Sequence, residues 1–343
     1  MSRRTALGVG ATAAGLTAGS GIGSQVHAVP FTVKESDYLY PWSPPEDVLD
    51  RRNLTPGNTA IRLSCTDHGL QYEPGIDMET SVRAVLEAGY TAAEGSESWK
   101  QASDSEIRDL KTVLREHDLM FYTLHMCINN IHPDPAERQK NLKRVAELVA
   151  AADRLGLDFI VSHTGSCFPG AATIPHRDNW SAKTWKTSVE SMKQILRDTA
   201  GSHVSLGIEA INVCNINNPR AHIKLREDVG DPRIKVTLDP QNMLNITTYY
   251  RSTELVNECF DLFGEDICYA HCKDVKIRDE MLPSFEWVVV GTGTMDYETY
   301  LVRLSRLMRT RVLMLEFLPS EKYPEAKRYV EETAKKLGVR IYS

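Results

Sequence analysis

The sequence lacks the features that mark several large classes of protein. Within its 343 residues no apolar run approaches the roughly 20 needed to cross a bilayer. Basic residues are not in excess, because 40 Lys and Arg face 46 Asp and Glu. The seven cysteines are scattered and include no Cys-x-x-Cys pair, which argues against a disulfide framework or a thiolate zinc site. We therefore expect no membrane span and no nucleic-acid partner, since such partners usually require a concentrated basic face.

The first residues have the pattern of an export signal. Arg3 and Arg4 precede a weakly apolar stretch of small residues without acidic groups, and Val26-His27-Ala28 provides small residues at positions −3 and −1 of a cleavage site. We predict a twin-arginine-type signal over residues 1–28 and a periplasmic or extracellular location. The alternative is a disordered terminus that contains paired arginines. Residues 29–58, rich in Pro, Asp and Ser, are expected to form an extended arm, and residues 59–343 a single domain.

Short apolar runs alternate with stretches of helical period through the rest of the chain. The predicted strands are Ile61–Ser64, Ala92–Glu94, Met120–His125, Phe159–His163, Val204–Glu209, Ile234–Asp239, Ile267–His271 and Val312–Glu316. The predicted helices include Met78–Ala88, Ser103–His117, Pro135–Leu155, Trp180–Thr199, Ser252–Phe263, Tyr297–Arg309 and Glu321–Leu337. Strands separated by helices pair in parallel. Eight such units favour an α/β fold of the (β/α)8 TIM barrel type. A doubly wound open sheet is the competitor, but its usual glycine-rich loop after the first strand is missing.

Charged or imidazole side chains close four consecutive predicted strands. Glu209, Asp239, His271 and Glu316 end strands five to eight, and a barrel gathers such positions around one mouth. Three carboxylates repel one another unless a cation lies among them. We therefore predict that these four residues hold one divalent metal ion, with Mn²⁺ expected and Mg²⁺, Co²⁺ or Zn²⁺ as alternatives. The competing interpretation is four independent salt-bridged residues.

Histidines lie at the same level on earlier strands. His125 ends strand three and His163 ends strand four, so both are candidates for binding substrate hydroxyls or a carbonyl. Each could equally be a core histidine with its hydrogen bonds satisfied. His68, just past strand one, is a weaker candidate, and Glu94 at the end of strand two is comparable.

These strand ends also carry a family resemblance. From residue 61 onward the chain resembles the xylose isomerase-like barrel superfamily, specifically its sugar phosphate isomerase/epimerase branch. The motifs that carry the resemblance are Gly207-Ile208-Glu209, Leu238-Asp239-Pro240-Gln241-Asn242, His271-Cys272-Lys273-Asp274, Gly291-Thr292-Gly293-Thr294-Met295-Asp296 and Leu315-Glu316-Phe317. The last-but-one motif could cradle a phosphate, but it lacks the Lys-Ser/Thr of a P-loop, so we interpret it as a turn leading into the next helix.

The resemblance implies that the four strand-end ligands bind a divalent metal and that Glu209 and Glu316 exchange protons with a substrate carbon. One departure concerns Asn242, which stands where ketose 3-epimerases have a histidine. An amide can bind a hydroxyl but does not titrate near neutrality. We assign Asn242 to substrate binding. The resemblance also implies a positively charged side chain that binds substrate shortly after the strand-seven histidine. Lys273, two residues past His271, is our candidate for it, in preference to Arg278.

Together these observations predict a metal-dependent isomerase or epimerase of a sugar or keto-sugar, acting through an enediolate. An exported protein without a phosphate cage favours free or oxidised sugars as the small-molecule substrate. Two alternatives stay open: a metal-dependent lyase or dehydratase on a keto-sugar or glycoside, and a non-catalytic exported sugar-binding barrel. A DNA-repair endonuclease is disfavoured because strand-end histidines and positive charge are few. The sequence leaves the oligomeric state undetermined, with a homo-oligomer as one option.

Overall fold

The computed structural model describes residues 55–309 and 311–342. The predicted signal over residues 1–28 and most of the predicted arm lie outside this range and stay predictions. The described part contains eight parallel strands that form a nearly closed barrel. The barrel strands are β1 (Ile61–Cys65), β2 (Ala92–Gly95), β3 (Met120–His125), β4 (Phe159–Ser162), β5 (Ser205–Glu209), β6 (Ile234–Leu238), β7 (Ile267–Cys272) and β10 (Arg311–Leu315). Their order around the barrel is β1-β10-β7-β6-β5-β4-β3-β2.

A helix follows each barrel strand on the outside of the barrel. These helices are α1 (Met78–Glu87), α2 (Asp104–Glu116), α3 (Pro135–Leu155), α4 (Ala182–Asp198), α5 (Pro219–Val229), α6 (Ser252–Phe263), α7 (Tyr297–Ser305) and α8 (Tyr323–Leu337). Local signals define several of these ends. Ser103 and Glu106 form a reciprocal capping box at the start of α2, and Gly156 ends α3 in the left-handed conformation with φ +75°. None of the helices described is long and apolar enough to span a membrane.

The predicted (β/α)8 barrel is confirmed. Helix α5, whose 11 residues include five charged ones, was not assigned individually from the sequence, although eight strand–helix units imply a helix at this place. An antiparallel hairpin, β8 (Asp274–Ile277) with β9 (Phe285–Val288), is inserted between β7 and α7. Its strands have four residues each, which is at the lower end of what alternation can reveal. The eight predicted barrel strands agree with the structure to within one residue at each end.

The inside of the barrel is filled by large side chains. Tyr122, Phe159 and Tyr269 contact one another there, with the Tyr122 and Tyr269 ring centroids 5.1 Å apart. A larger apolar layer between the strands and the helices surrounds this inner cluster. The packed interior closes the barrel from below, so the side chains beyond the C-terminal strand ends lie above a layer of buried side chains.

The inserted hairpin is held at its base by one buried carboxylate. Asp274 accepts backbone N–H bonds from Val275, Gly291, Gly293 and Met295 at 2.9–3.0 Å. A Cβ on Gly293 would lie 2.2 Å from Asp274 Oδ1, so only glycine permits this approach. The amides of the glycine-containing motif thus bind a side chain of the protein itself, as expected of a turn, and Asp296 then caps α7.

A buried histidine on α5 makes the stability of the fold sensitive to acid. His222 is fully buried, and its Nε2 lies 3.3 Å from the Ile208 carbonyl, so the Nε2 atom carries a proton that it donates to this carbonyl. Burial lowers its pKa to about 4. In the unfolded chain the His222 ring takes up a second proton near pH 6.5, so the contribution of His222 to stability is complete above pH 6.5 and falls as the pH drops towards 4.

We expect His222→Gln to remove this part of the acid sensitivity. Between pH 7 and pH 4.5 the free energy of unfolding of the wild type should fall by roughly 2–3 kcal/mol more than that of the variant. Urea titrations monitored by circular dichroism at both pH values would measure the difference. His203→Gln is the matched control, because His203 is exposed in a surface pair with Asp153. Parallel losses in His222→Gln and wild type would contradict the prediction.

Candidate functional site

The four predicted metal ligands converge at the C-terminal end of the barrel. Glu209 and His271 lie within the last two positions of β5 and β7, and Asp239 and Glu316 directly follow β6 and β10. Each of the four is no more than 5% exposed. Parallel strands carry their final side chains to one mouth, which explains how residues far apart in sequence come together.

The Nδ1 atom of His271 is the centre of this cluster. It lies 2.9 Å from Glu316 Oε1, 3.1 Å from Asp239 Oδ2 and 3.6 Å from Glu209 Oε1. On the other side of the ring, His271 Nε2 lies 2.6 Å from the Tyr269 hydroxyl. Tyr269 therefore fixes the orientation of the imidazole and leaves Nδ1 facing the carboxylates. We refer to Glu209, Asp239, His271 and Glu316 as the carboxylate cluster.

Lys273 is placed against the same carboxylates. Its Nζ donates to Glu316 Oε1 at 2.5 Å and to Asp239 Oδ2 at 2.6 Å, and the residue is buried. Burial lowers the pKa of Lys273, but Asp239 and Glu316 outweigh this effect and raise it above its usual value. The ammonium is thus a permanent positive charge beside two of the predicted metal ligands.

Electrostatics keep both glutamates of the cluster ionised. Burial raises the pKa of Glu316, but His271 and Lys273 outweigh it and lower the value to about 2. Burial likewise opposes ionisation of Glu209, while His271 and His163 hold its pKa well below the usual range. For Asp239 burial prevails and its pKa is raised. The pKa of His271, lowered by burial, is raised well above its usual value by Glu316 and Glu209.

Glu209 is oriented from two sides. His163 Nε2 donates to Glu209 Oε2 at 2.9 Å, and Asn242 Nδ2 donates to Glu209 Oε1 at 2.6 Å. Asn242 is itself fixed by its backbone N–H, which donates to Asp239 Oδ1 at 3.1 Å. The amide at position 242 therefore positions a carboxylate of the cluster and needs no charge of its own to do so.

His125 lies next to this arrangement, at the end of β3. Its ring stacks on that of His163 with centroids 5.9 Å apart, and its Nδ1 lies 3.7 Å from Glu94 Oε2. Burial lowers the pKa of His125, but Glu94 outweighs it and raises the pKa overall. His125 Nε2, His163 Nδ1 and Glu94 Oε2 are buried and have no hydrogen-bond partner among the described residues. Such orphaned atoms are available to a bound ligand.

The donor set fits a divalent cation. Ligands bound at right angles around Mg²⁺ or Mn²⁺ lie about 3 Å apart, and the three carboxylate oxygens lie 2.9–3.6 Å from His271 Nδ1. Possible ligand atoms of Glu209, Asp239 and His271 all lie within 4.8 Å of one another, and so do those of His125, His163 and Glu209. The Tyr269 contact supplies the outer partner that metal-binding histidines usually have.

An exposed aromatic pair borders the cluster. Phe317 immediately follows Glu316 and adopts φ +57°, a left-handed conformation that costs a bulky residue about 1–2 kcal/mol. Its ring stacks on that of Trp287 in β9, with centroids 4.6 Å apart and planes 24° from parallel. Lys273 Nζ lies 4.5 Å from the Phe317 ring centroid. Trp287 and Phe317 are called the aromatic pair below.

Within the described part of the chain, His68 is the predicted site residue that lies apart from this group. It packs against Tyr90, with ring centroids 5.8 Å apart, and lines a separate cavity of about 750 Å³ beside Lys327 and Glu331 of α8. Sequence reasoning missed Tyr269 and the aromatic pair. Tyr269 could have been found, because it precedes His271 by two residues in one strand and so shares its face.

Comparison with known proteins places this chain in a family. The family model described as xylose isomerase-like TIM barrel matches residues 82–336, whereas no curated protein gives a significant match to the chain. Three solved structures with 15–17% sequence identity are similar to the chain, and identity at this level supports the fold alone.

One is a xylose isomerase-like TIM barrel protein from Mycobacterium smegmatis in complex with magnesium (TM-score 0.60, 15% identity, 81% of this chain and 96% of that one). Another is D-psicose 3-epimerase in the presence of D-fructose (TM-score 0.56, 17% identity, 79% and 90%). The third is endonuclease IV from Thermus thermophilus (TM-score 0.62, 15% identity, 80% and 99%). The family match spans well over half of the chain, and the chain belongs to the xylose isomerase-like TIM barrel family.

Proposed function

We propose that this protein is a divalent-metal-dependent isomerase or epimerase of a sugar or keto-sugar. The observation that carries the proposal is the convergence of three carboxylate oxygens within 3.6 Å of His271 Nδ1. Epimerases of ketoses have the same fold, which makes this reaction class a reasonable starting point. The sequence pattern at the N-terminus further supports an exported enzyme that acts on free sugars, although those residues lie outside the described part.

Glu209, Asp239, His271 and Glu316 would hold the metal ion, for which Mn²⁺ is our first choice. When bound, a divalent cation supplies Lewis acidity, which stabilises negative charge on adjacent substrate oxygens. His125, His163 and Glu209 form a second group of possible ligands. We assign the two histidines to substrate binding, because a single cation suffices for the proposed reaction.

The chain's own carboxylates would move the proton. One of Glu209 and Glu316 accepts the proton of a C–H bond next to a carbonyl, and the electron pair of that bond passes into a C=C bond as the carbonyl oxygen becomes an enolate. Return of the proton to the neighbouring carbon, while the hydroxyl proton of the first carbon passes to the former carbonyl oxygen, gives the isomer. Return to the opposite face of the original carbon by the other glutamate gives the epimer.

Neighbouring side chains would orient the substrate and the bases. His163 and Asn242 hold Glu209 in place, so its carboxylate is positioned before substrate arrives. His125 Nε2 has no partner among the described residues and is suited to a substrate hydroxyl or to the developing oxyanion. Lys273 adds a fixed positive charge beside Glu316.

Solvent isotope exchange tests the proposal. The Mn²⁺-loaded protein would be incubated in D₂O with a panel of five- and six-carbon ketoses, and the sugars analysed by mass spectrometry and chromatography. We expect at least one sugar to gain a single deuterium with its carbon skeleton and hydroxyl count intact. Loss of a leaving group would instead indicate the lyase or dehydratase. Sugar binding with neither exchange nor bound metal would indicate a non-catalytic barrel.

A further inference from the structure

The aromatic pair is unusual in both exposure and backbone conformation. Phe317 is 50% exposed and Trp287 is 56% exposed, although large aromatic side chains are usually well covered. Phe317 also has a left-handed backbone conformation, which glycine would adopt without strain but a bulky residue does not. Strained residues of this kind persist where the surrounding structure demands them, and they concentrate at ligand sites. Neither carboxylate chemistry nor metal binding in the proposed reaction uses the pair.

The aromatic pair is continuous with the carboxylate cluster. Lys273 Nζ lies over the Phe317 ring and donates to Glu316 Oε1 at 2.5 Å, so one side chain contacts both groups. Phe317 in turn stacks on Trp287, which β9 projects from the inserted hairpin. The indole is thus two contacts away from the ammonium at the cluster.

We infer that Trp287, backed by Phe317, is a subsite for a second sugar ring, so that the substrate is a disaccharide whose reacting ring lies at the carboxylate cluster. This inference rests on the proposed function. One face of a pyranose is lined by C–H groups, which are attracted to the negative face of an aromatic ring, while the hydroxyls at the ring edge stay in water. A flat, half-exposed aromatic surface beside a sugar site matches this chemistry.

The neighbourhood favours a small polar ligand over another protein surface. Arg278 and Glu286 form an exposed ion pair, 3.1 Å apart, on the same hairpin. Stable interfaces between copies need about 800 Å² per partner and have few charges at their centre, whereas the aromatic pair is only two side chains, on a hairpin that also carries an exposed ion pair. A single sugar ring can be bound by the surface of these two aromatic side chains alone.

Calorimetric binding to the full chain tests the inference. Cellobiose, maltose and lactose are the two-ring probes, and glucose and galactose are the one-ring probes. For the wild type we expect at least one disaccharide to bind roughly tenfold more tightly than its component monosaccharides. Trp287→Ala should abolish this preference and leave monosaccharide affinity unchanged, whereas Trp287→Phe should retain most of it. Leu282→Ala is the matched control, since Leu282 is an exposed apolar residue on the same hairpin that lacks a flat face.

Several results would overturn the inference: no disaccharide binding by the wild type, an unchanged preference in Trp287→Ala, or an equal loss in Leu282→Ala. A shift from dimer to monomer in Trp287→Ala, measured by light scattering with sugar preference unchanged, would assign the pair to an interface between copies. Deuterium exchange into monosaccharides without any disaccharide preference would overturn the subsite and leave the proposed function standing. A disaccharide preference that depends on Trp287, without deuterium exchange into any probe, would support the subsite and contradict the proposed function.

Discussion

Replacing Asp239 by Asn should abolish retention of a divalent metal ion. Asp239 Oδ2 lies 3.1 Å from His271 Nδ1 and is also bound by Lys273, so its charge balances a lysine and, as we propose, a metal ion. An amide keeps the shape but removes that charge. We expect metal affinity to fall at least about 100-fold, by comparison with the losses caused when only an outer partner of a ligand is removed. Elemental analysis after dialysis against Mn²⁺ and gel filtration would measure it.

Asp118→Asn is the matched control for this substitution. Asp118 is an exposed aspartate that binds Arg62, and it precedes β3 at the opposite end of the barrel. The control and the wild type should each retain one ion per chain. Normal metal content in Asp239→Asn would contradict the site. A stoichiometry of two in the wild type would instead indicate that His125, His163 and Glu209 hold a second ion, as in a two-metal hydrolase.

Replacing Glu316 by Gln should lower the rate of deuterium exchange into substrate by a factor of about 10²–10⁴, the range typical for loss of a catalytic acid or base. The amide cannot accept a proton, yet it retains an oxygen that can face His271 and Lys273. We therefore expect the affinity for sugar to change much less than the exchange rate. Exchange followed by mass spectrometry under single-turnover conditions, with calorimetry for binding, would separate the two effects.

The control for Glu316→Gln is Glu321→Gln, an exposed glutamate in the segment that follows the same strand. Its exchange rate should match that of the wild type. Exchange at the wild-type rate in Glu316→Gln would exclude this carboxylate as an obligatory proton carrier. Equal loss of exchange and of metal in that variant would show that Glu316 acts mainly as a ligand.

The sequence was sufficient to predict the barrel because each strand–helix unit leaves its own periodic trace. The positions of Glu209, Asp239, His271 and Glu316 followed from that register, since residues at equivalent strand ends share one mouth. The pairwise contacts could not be predicted in this way. That Lys273 contacts Asp239 and Glu316, or that Asn242 holds Glu209, depends on side-chain conformations that spacing does not determine.

The hairpin was missed for a different physical reason. Its two strands have four residues each and pair only with one another, so their stability comes from Asp274 and from packing more than from their own pattern. The aromatic pair was missed for a related reason. Trp287 and Phe317 are 30 positions apart in sequence, and their rings meet only because this hairpin brings Trp287 to the end of β10.

The four amides gathered by Asp274 come from both sides of the inserted hairpin, and the carboxylate adjoins Lys273 in the chain. Residues 278–284 form the outer part of the hairpin, away from the backbone amides that bind Asp274, and are mostly exposed. Insertions or deletions in these residues would change the outer hairpin and leave the side chains at the C-terminal strand ends in place. Evolution could therefore vary the outer hairpin, and with it the choice of what is recognised, while the chemistry beneath stayed undisturbed.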